Sequence, residues 1–96
     1  MTWPQLPMHY VYILYSDKDG GLYIGESADL QKRIQLHNSG SVRSTKHRRP
    51  IRLVHYEAFT NSTDAKARER YLKSGYGREQ LNAMLKNLFR DLGLDE

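Results

Sequence analysis

Apolar and polar positions change period several times along the chain, and each change marks an element. From His9 to Tyr15 the alternation is weak, with Val11, Ile13 and Tyr15 pointing one way and Tyr10, Tyr12 and Leu14 the other. Apolar character on both faces predicts a strand central to a sheet. Asp17-Lys18-Asp19-Gly20-Gly21 reads as a hairpin loop, because Asp-Gly and Gly-Gly supply positive φ at little cost. A second strand runs from Leu22 to Gly25, and its final glycine predicts a bulge or a close approach by another backbone.

Ser27 or Asp29 can cap a helix that runs to about Asn38. Leu30, Ile34 and His37 form its stripe, Arg33 lies beside them, and Asn38-Ser39-Gly40 is the stop. Residues from Ser41 to Pro50 are polar and basic, which predicts an exposed, mobile loop. Ile51 to Phe59 alternates as a third strand, with Ile51, Leu53, His55, Glu57 and Phe59 on one face. Asn61, Ser62 or Thr63 caps a helix through Lys73, carrying Ala65, Glu69 and Leu72 along one face, and Gly75 and Gly77 break it. A last amphipathic helix spans residues 78 to about 90, with Leu81, Met84, Leu85 and Leu88 at helical spacing. The order β-β-α-β-α-α predicts an α+β domain, a small three-stranded antiparallel sheet with helices packed around it. That domain covers residues 9–90, between tails at 1–8 and 91–96.

Composition narrows the function classes. A chain of 96 residues makes one domain with a modest core, to which seven tyrosines contribute. With no cysteine, disulfides, thiolate zinc sites and thiol nucleophiles are excluded. No apolar run approaches the roughly 18 residues of a membrane span, and MTWPQLPM lacks a signal-peptide layout, so a cytoplasmic protein is expected. Fifteen basic against eleven acidic residues give a net charge of +4, which favours a polyanion such as nucleic acid. Arg43, Lys46, His47, Arg48 and Arg49, with Arg52 just beyond, are candidate phosphate contacts. No base-reading element is evident, so recognition by shape or junction, or weak generic binding, is expected.

The residues with chemistry fall into an ordered set: Tyr12, then Tyr23-Ile24-Gly25, then Arg33 and His37, and later Ala65, Glu69, Leu72 and Lys73. Written as Y-x(10)-YIG-x(7)-R-x(3)-H followed by A-x(3)-E-x(2)-LK, this resembles the GIY-YIG nuclease superfamily over about residues 9–80. It is most similar to the small stand-alone bacterial members and to the nuclease module of the excision-repair endonuclease. The resemblance implies that Tyr12 and Tyr23 are the two signature tyrosines and that Gly25 packs at the strand end. It further implies that Arg33 holds the scissile phosphate with His37 near it, and that Glu69 binds one divalent cation, Mg²⁺ or Mn²⁺. The implied partner is DNA, branched or damaged, with RNA not excluded, bound by a monomer or weak dimer that a protein partner could join. Two positions depart from the pattern: Val11 replaces the first signature's glycine, and Glu26 stands where the repair branch has lysine. A later asparagine of some branches corresponds to Asn82 without a fixed register.

Elementary chemistry agrees in outline. Cleaving a phosphodiester needs an activated water and charge stabilisation on the phosphate. Arginine gives a bidentate clamp, and Mg²⁺ commonly accepts one or two carboxylates, with water and substrate oxygens completing its shell. The base stays open. Read from the residues alone it is His37, with an ordinary pKa near 6.5, since only about one tyrosine in a thousand is ionised at pH 7. The resemblance assigns Tyr12. Ordinary roles compete throughout: core tyrosines, a solvated Arg33, a helix-end His37, and a Glu69 paired with Lys66 or Lys73. Two other functions stand beside a nuclease: a nucleic-acid-binding protein on the same scaffold with little catalysis, or a subunit whose partner supplies specificity.

Overall fold

A computed structural model of the chain describes residues 7–94, so most of the tail expected at 1–8 lies outside the described residues. Three antiparallel strands, β1 (His9–Ser16), β2 (Leu22–Ser27) and β3 (Ile51–Phe59), lie in the order β2-β1-β3. The central place of β1 follows from its two apolar faces, since both are covered. Val11 and Ile13 pack with Ile24 against Ala65, Leu72, Leu81 and Phe89. These come from α2 (Ser62–Lys73), α3 (Gly75–Met84) and α4 (Lys86–Asp91). Tyr12 and Leu14 on the other face pack with Ile51 beneath Leu30 and Ile34 of α1 (Leu30–Asn38). The result is the α+β arrangement expected. Among the described residues no helix is long and apolar enough to cross a membrane.

Capping follows local chemistry. Asp29 accepts from the Lys32 amide at 3.1 Å, and Asn61 accepts from the Thr63 and Asp64 amides at 2.9 and 3.1 Å. Gly20, at φ +72°, turns the hairpin, and Gly40, at φ +81°, follows the end of α1.

Four expectations are corrected. In β3, His55 lies opposite Ile13 but Leu53 lies opposite Leu14, so the ladder skips Val54. This irregularity switches faces partway along the strand. Ile51 therefore joins the Tyr12 side, while Phe59 packs on the opposite side, and the five residues expected on one face are divided. The last helix is two helices meeting at Leu85, which leaves Met84 44% exposed and fills the core with Phe89 instead. Gly77 is not a breaker but sits buried inside α3, where a Cβ would collide with the Tyr71 carbonyl. Ser74 makes the break, donating its N–H to Tyr71 O and accepting from Gly77 N at 3.1 Å. Finally, the segment 41–50 is pinned rather than loose. Val42 and Thr45 are buried, Lys46–Arg48 form a 3₁₀ turn, and Ser16 Oγ donates to Arg48 O at 2.6 Å.

Candidate active site

Tyr12 stands at the middle of β1 directly opposite Gly25 of β2. A Cβ at Gly25 would lie 2.5 Å from both Cζ and Oη of Tyr12, so only glycine leaves room for that ring. Side chain, not backbone, makes the close approach foreseen at Gly25. From the α1 side, Arg33 and His37 sit one turn apart and both reach the phenol. Arg33 Nε donates to Tyr12 Oη at 3.4 Å, and Tyr12 Oη lies 2.9 Å from His37 Nε2. His37 Nδ1 lies 2.7 Å from Thr45 Oγ1.

The donors can be assigned. Guanidinium only donates, so Tyr12 accepts from Arg33 and its own proton goes to the acceptor it touches among the described residues, His37 Nε2. His37 then carries its proton on Nδ1 and donates to Thr45. Tyr23 completes the enclosure, its ring 6.3 Å from that of Tyr12 and 5.1 Å, edge-on, from His37.

Burial decides the electrostatics. It disfavours imidazolium, and with the nearby Arg33 charge it pushes His37 down to about 4. Burial also raises the Tyr12 phenol above its ordinary value, with smaller upward contributions from Tyr23 and Glu69, while the Arg33 bond pulls the other way. The same bond to Tyr12 raises Arg33, which stays cationic. In the free protein the phenol is protonated and the imidazole neutral.

Glu69, from α2, acts on Tyr12 electrostatically and pairs with Lys73 Nζ at 3.0 Å, so the ordinary helix pairing is realised. Its side chain is 22% exposed and Lys73 is 53% exposed, so the carboxylate is reachable from solvent. Among the described residues no group of three or more His, Cys, Asp or Glu could hold a metal ion together. A lone, reachable carboxylate fits a hard cation that takes its other ligands from water and phosphate oxygens.

The basic residues divide. Arg48 is engaged with Asp19, at 2.6 and 3.2 Å, and Arg52 with Asp17 at 3.0 Å while lying over the Tyr15 ring. Arg49 donates to Lys46 O, and Arg43 and Lys46 extend into solvent. Arg68 is held by Glu57. Thr45 does not stand out in the sequence; its signal is its place three residues after Val42 in an otherwise polar and basic stretch.

Two tyrosines, an arginine and a histidine thus meet, with one carboxylate acting on the same phenol, on a three-stranded α+β scaffold. A family model described as the GIY-YIG catalytic domain matches residues 8–82, and the chain belongs to that family. It is similar to the UPF0213 protein CPE1444 of Clostridium perfringens, 46% identical over 67 residues covering 69% of this chain and 71% of that one. UPF0213 protein HQ_3675A of Haloquadratum walsbyi is 41% identical over 73 residues, 75% and 80% of the two chains. The solution NMR structure of UPF0213 protein BH0048 from Bacillus halodurans shares the fold at a TM-score of 0.51. It is 40% identical and covers 80% of this chain and 84% of that one.

Proposed function

We propose that the protein is a metal-dependent endonuclease that hydrolyses DNA phosphodiester bonds, choosing substrates by structure or shape rather than sequence. The observation that carries this reading is the continuous chain Arg33–Tyr12–His37–Thr45, with the Glu69 carboxylate acting on the same phenol.

Each residue then has a role. Arg33 commits Nε to Tyr12, leaving its outer guanidinium donors for Tyr23 and a phosphate oxygen. Tyr12 takes the proton of the attacking water as it passes its own to His37 Nε2, so the two candidate bases act as one relay. An anionic phosphodiester at Arg33 offsets the positive charge that helps hold His37 down, making the imidazole a better acceptor when substrate is bound. Thr45 fixes the tautomer by accepting from Nδ1. Glu69 would hold the divalent cation, which when bound stabilises charge developing on the phosphate.

The test is cleavage of single-stranded, duplex, flap and junction DNAs with Mg²⁺ or Mn²⁺. Arg33→Ala and Glu69→Ala should each slow cleavage by about 100-fold or more. Unchanged rates in both variants would remove the site assignment. Binding of every substrate with cleavage of none would identify a nucleic-acid-binding relative of the nuclease.

A further inference from the structure

A groove of about 630 Å³ runs between α1 and β3, on the same face of the sheet as Tyr12. The irregularity in β3 builds its strand wall. Leu53 and Tyr56 are three residues apart and would point to opposite faces of a regular strand. The ladder skips Val54, so Leu53 stands opposite Leu14 and Tyr56 opposite Tyr12, and both line the groove. Both stay exposed, Tyr56 by 53%. Tyr10 of β1 meets Tyr56 edge-on, with ring centroids 6.0 Å apart, and steadies the exposed ring.

The helix wall has a different chemistry. Gln31 and Gln35, one turn apart on α1, line it together with Ile34. Both side-chain amides are exposed and make no hydrogen bond among the described residues. No lysine or arginine is among the described lining residues, so the groove is not built for phosphate. Asp29 is the one carboxylate there, and it already accepts from the Lys32 amide at 3.1 Å. An aromatic wall facing a wall of uncommitted amides suits a ligand with a π-face and a hydrogen-bonding edge. A nucleobase has both. In a duplex its faces are stacked on its neighbours, so only an unpaired base can offer one to Tyr56.

We propose that this groove is a stacking site for an unpaired nucleobase, with Tyr56 against its face and Gln31 and Gln35 at its edge. Gln31 and Arg33, two residues apart, point to opposite flanks of α1, so groove and catalytic centre flank one helix about 10 Å across. The site needs only an unpaired base, whichever strand carries it. The proposal rests on the nuclease reading above for its nucleic acid, and gives that reading a physical reason to prefer single-stranded, flap or junction DNA.

The experiment measures binding of dT and dA oligonucleotides, an abasic strand of the same length and a blunt duplex. It compares wild type with Tyr56→Ala and Tyr56→Trp. Tyr56 is exposed, so both variants should fold, checked by circular dichroism. Tyr56→Ala should weaken dT and dA binding by about 10-fold or more and leave the abasic strand and duplex unchanged. Tyr56→Trp keeps a π-face and should retain wild-type affinity. In NMR, the side-chain amide signals of Gln31 and Gln35 should move with the dA oligonucleotide and stay fixed with the abasic strand. An equal loss on the abasic strand overturns the base site. Unchanged dT and dA binding in Tyr56→Ala, with DNA cleavage by wild type intact, overturns the base site alone and leaves the groove to a protein segment. Loss of single-strand binding in Tyr56→Ala, with no DNA cleaved by wild type, supports the base site and overturns the nuclease reading.

Discussion

At Tyr12 and His37, burial makes each of two groups that are mediocre bases in water a worse one, and the proposed relay depends on their being coupled. Tyr12→Phe removes the proton carrier and leaves the fully buried His37 Nε2 without a partner. Cleavage should fall by about 100-fold or more, and stability by about 1–3 kcal/mol in urea unfolding. Retained cleavage would show that the phenol does not carry the proton. A second prediction follows from His37. Its folded pKa of about 4 lies below its ordinary 6.5, so between these values the unfolded chain binds the extra proton and folding loses ground as pH falls. His37 should therefore contribute full stability above about pH 6.5 and lose on the order of 3 kcal/mol by about pH 4. His37→Gln, which cannot titrate, should flatten the stability profile across that window; an unchanged profile would mean the imidazole is not held neutral.

At the scale of elements, what matters is how closely strands and helices meet, and glycine marks two such places. Gly25→Ala pushes a methyl into the Tyr12 ring, which is itself buried and cannot swing away. It should cost about 1–3 kcal/mol and reduce cleavage along with it, since the ring displaced is the one in the relay. Gly77→Ala meets the backbone of α2 instead, far from the relay, and should destabilise by about 3 kcal/mol or more. Thermal unfolding of the two variants separates a site effect from a packing effect. The central strand, the caps at Asp29 and Asn61 and the stripe of α1 were legible because each depends on neighbours in sequence. The face switch at Val54 was not, since two-residue alternation reads through a bulge whose evidence lies in the partner strand. Nor was the division of the last helix at Leu85, because Met84 and Phe89 exchange core positions only once α4 docks. In the site, Tyr12, Gly25, Arg33 and His37 were legible as an ordered spacing. Thr45 was hidden in a stretch whose charges read as solvent, and its burial comes from its contact with His37.

Over the whole molecule, a net charge of +4 says less about nucleic-acid binding than the division of its cations into paired and unpaired sets. Arg48 and Arg52, which the sequence places with the phosphate contacts, are tied to Asp19 and Asp17 at the hairpin. The Arg48 pair ties the 41–50 segment, which carries Thr45, to the hairpin, while the Arg52 pair ties β3 to the same loop, so both are engaged within the fold. Asp19 is the tighter partner, its carboxyl held well below the usual range by the Arg48 guanidinium. Arg43 and Lys46 extend from the same segment into solvent. Removing either should shrink the salt slope of duplex binding by about 0.9 and weaken affinity across all substrates alike. Asp17→Asn should do the reverse. It frees Arg52 at a cost within about 1 kcal/mol, as expected for an exposed pair, and lets that guanidinium reach a phosphate, steepening the slope by about 0.9. Anisotropy titrations of the three variants over a salt series measure all of this at once. If Arg43→Ala and Lys46→Ala leave the slope unchanged while Asp17→Asn steepens it, the phosphates pass the hairpin side of the sheet and bypass the basic segment.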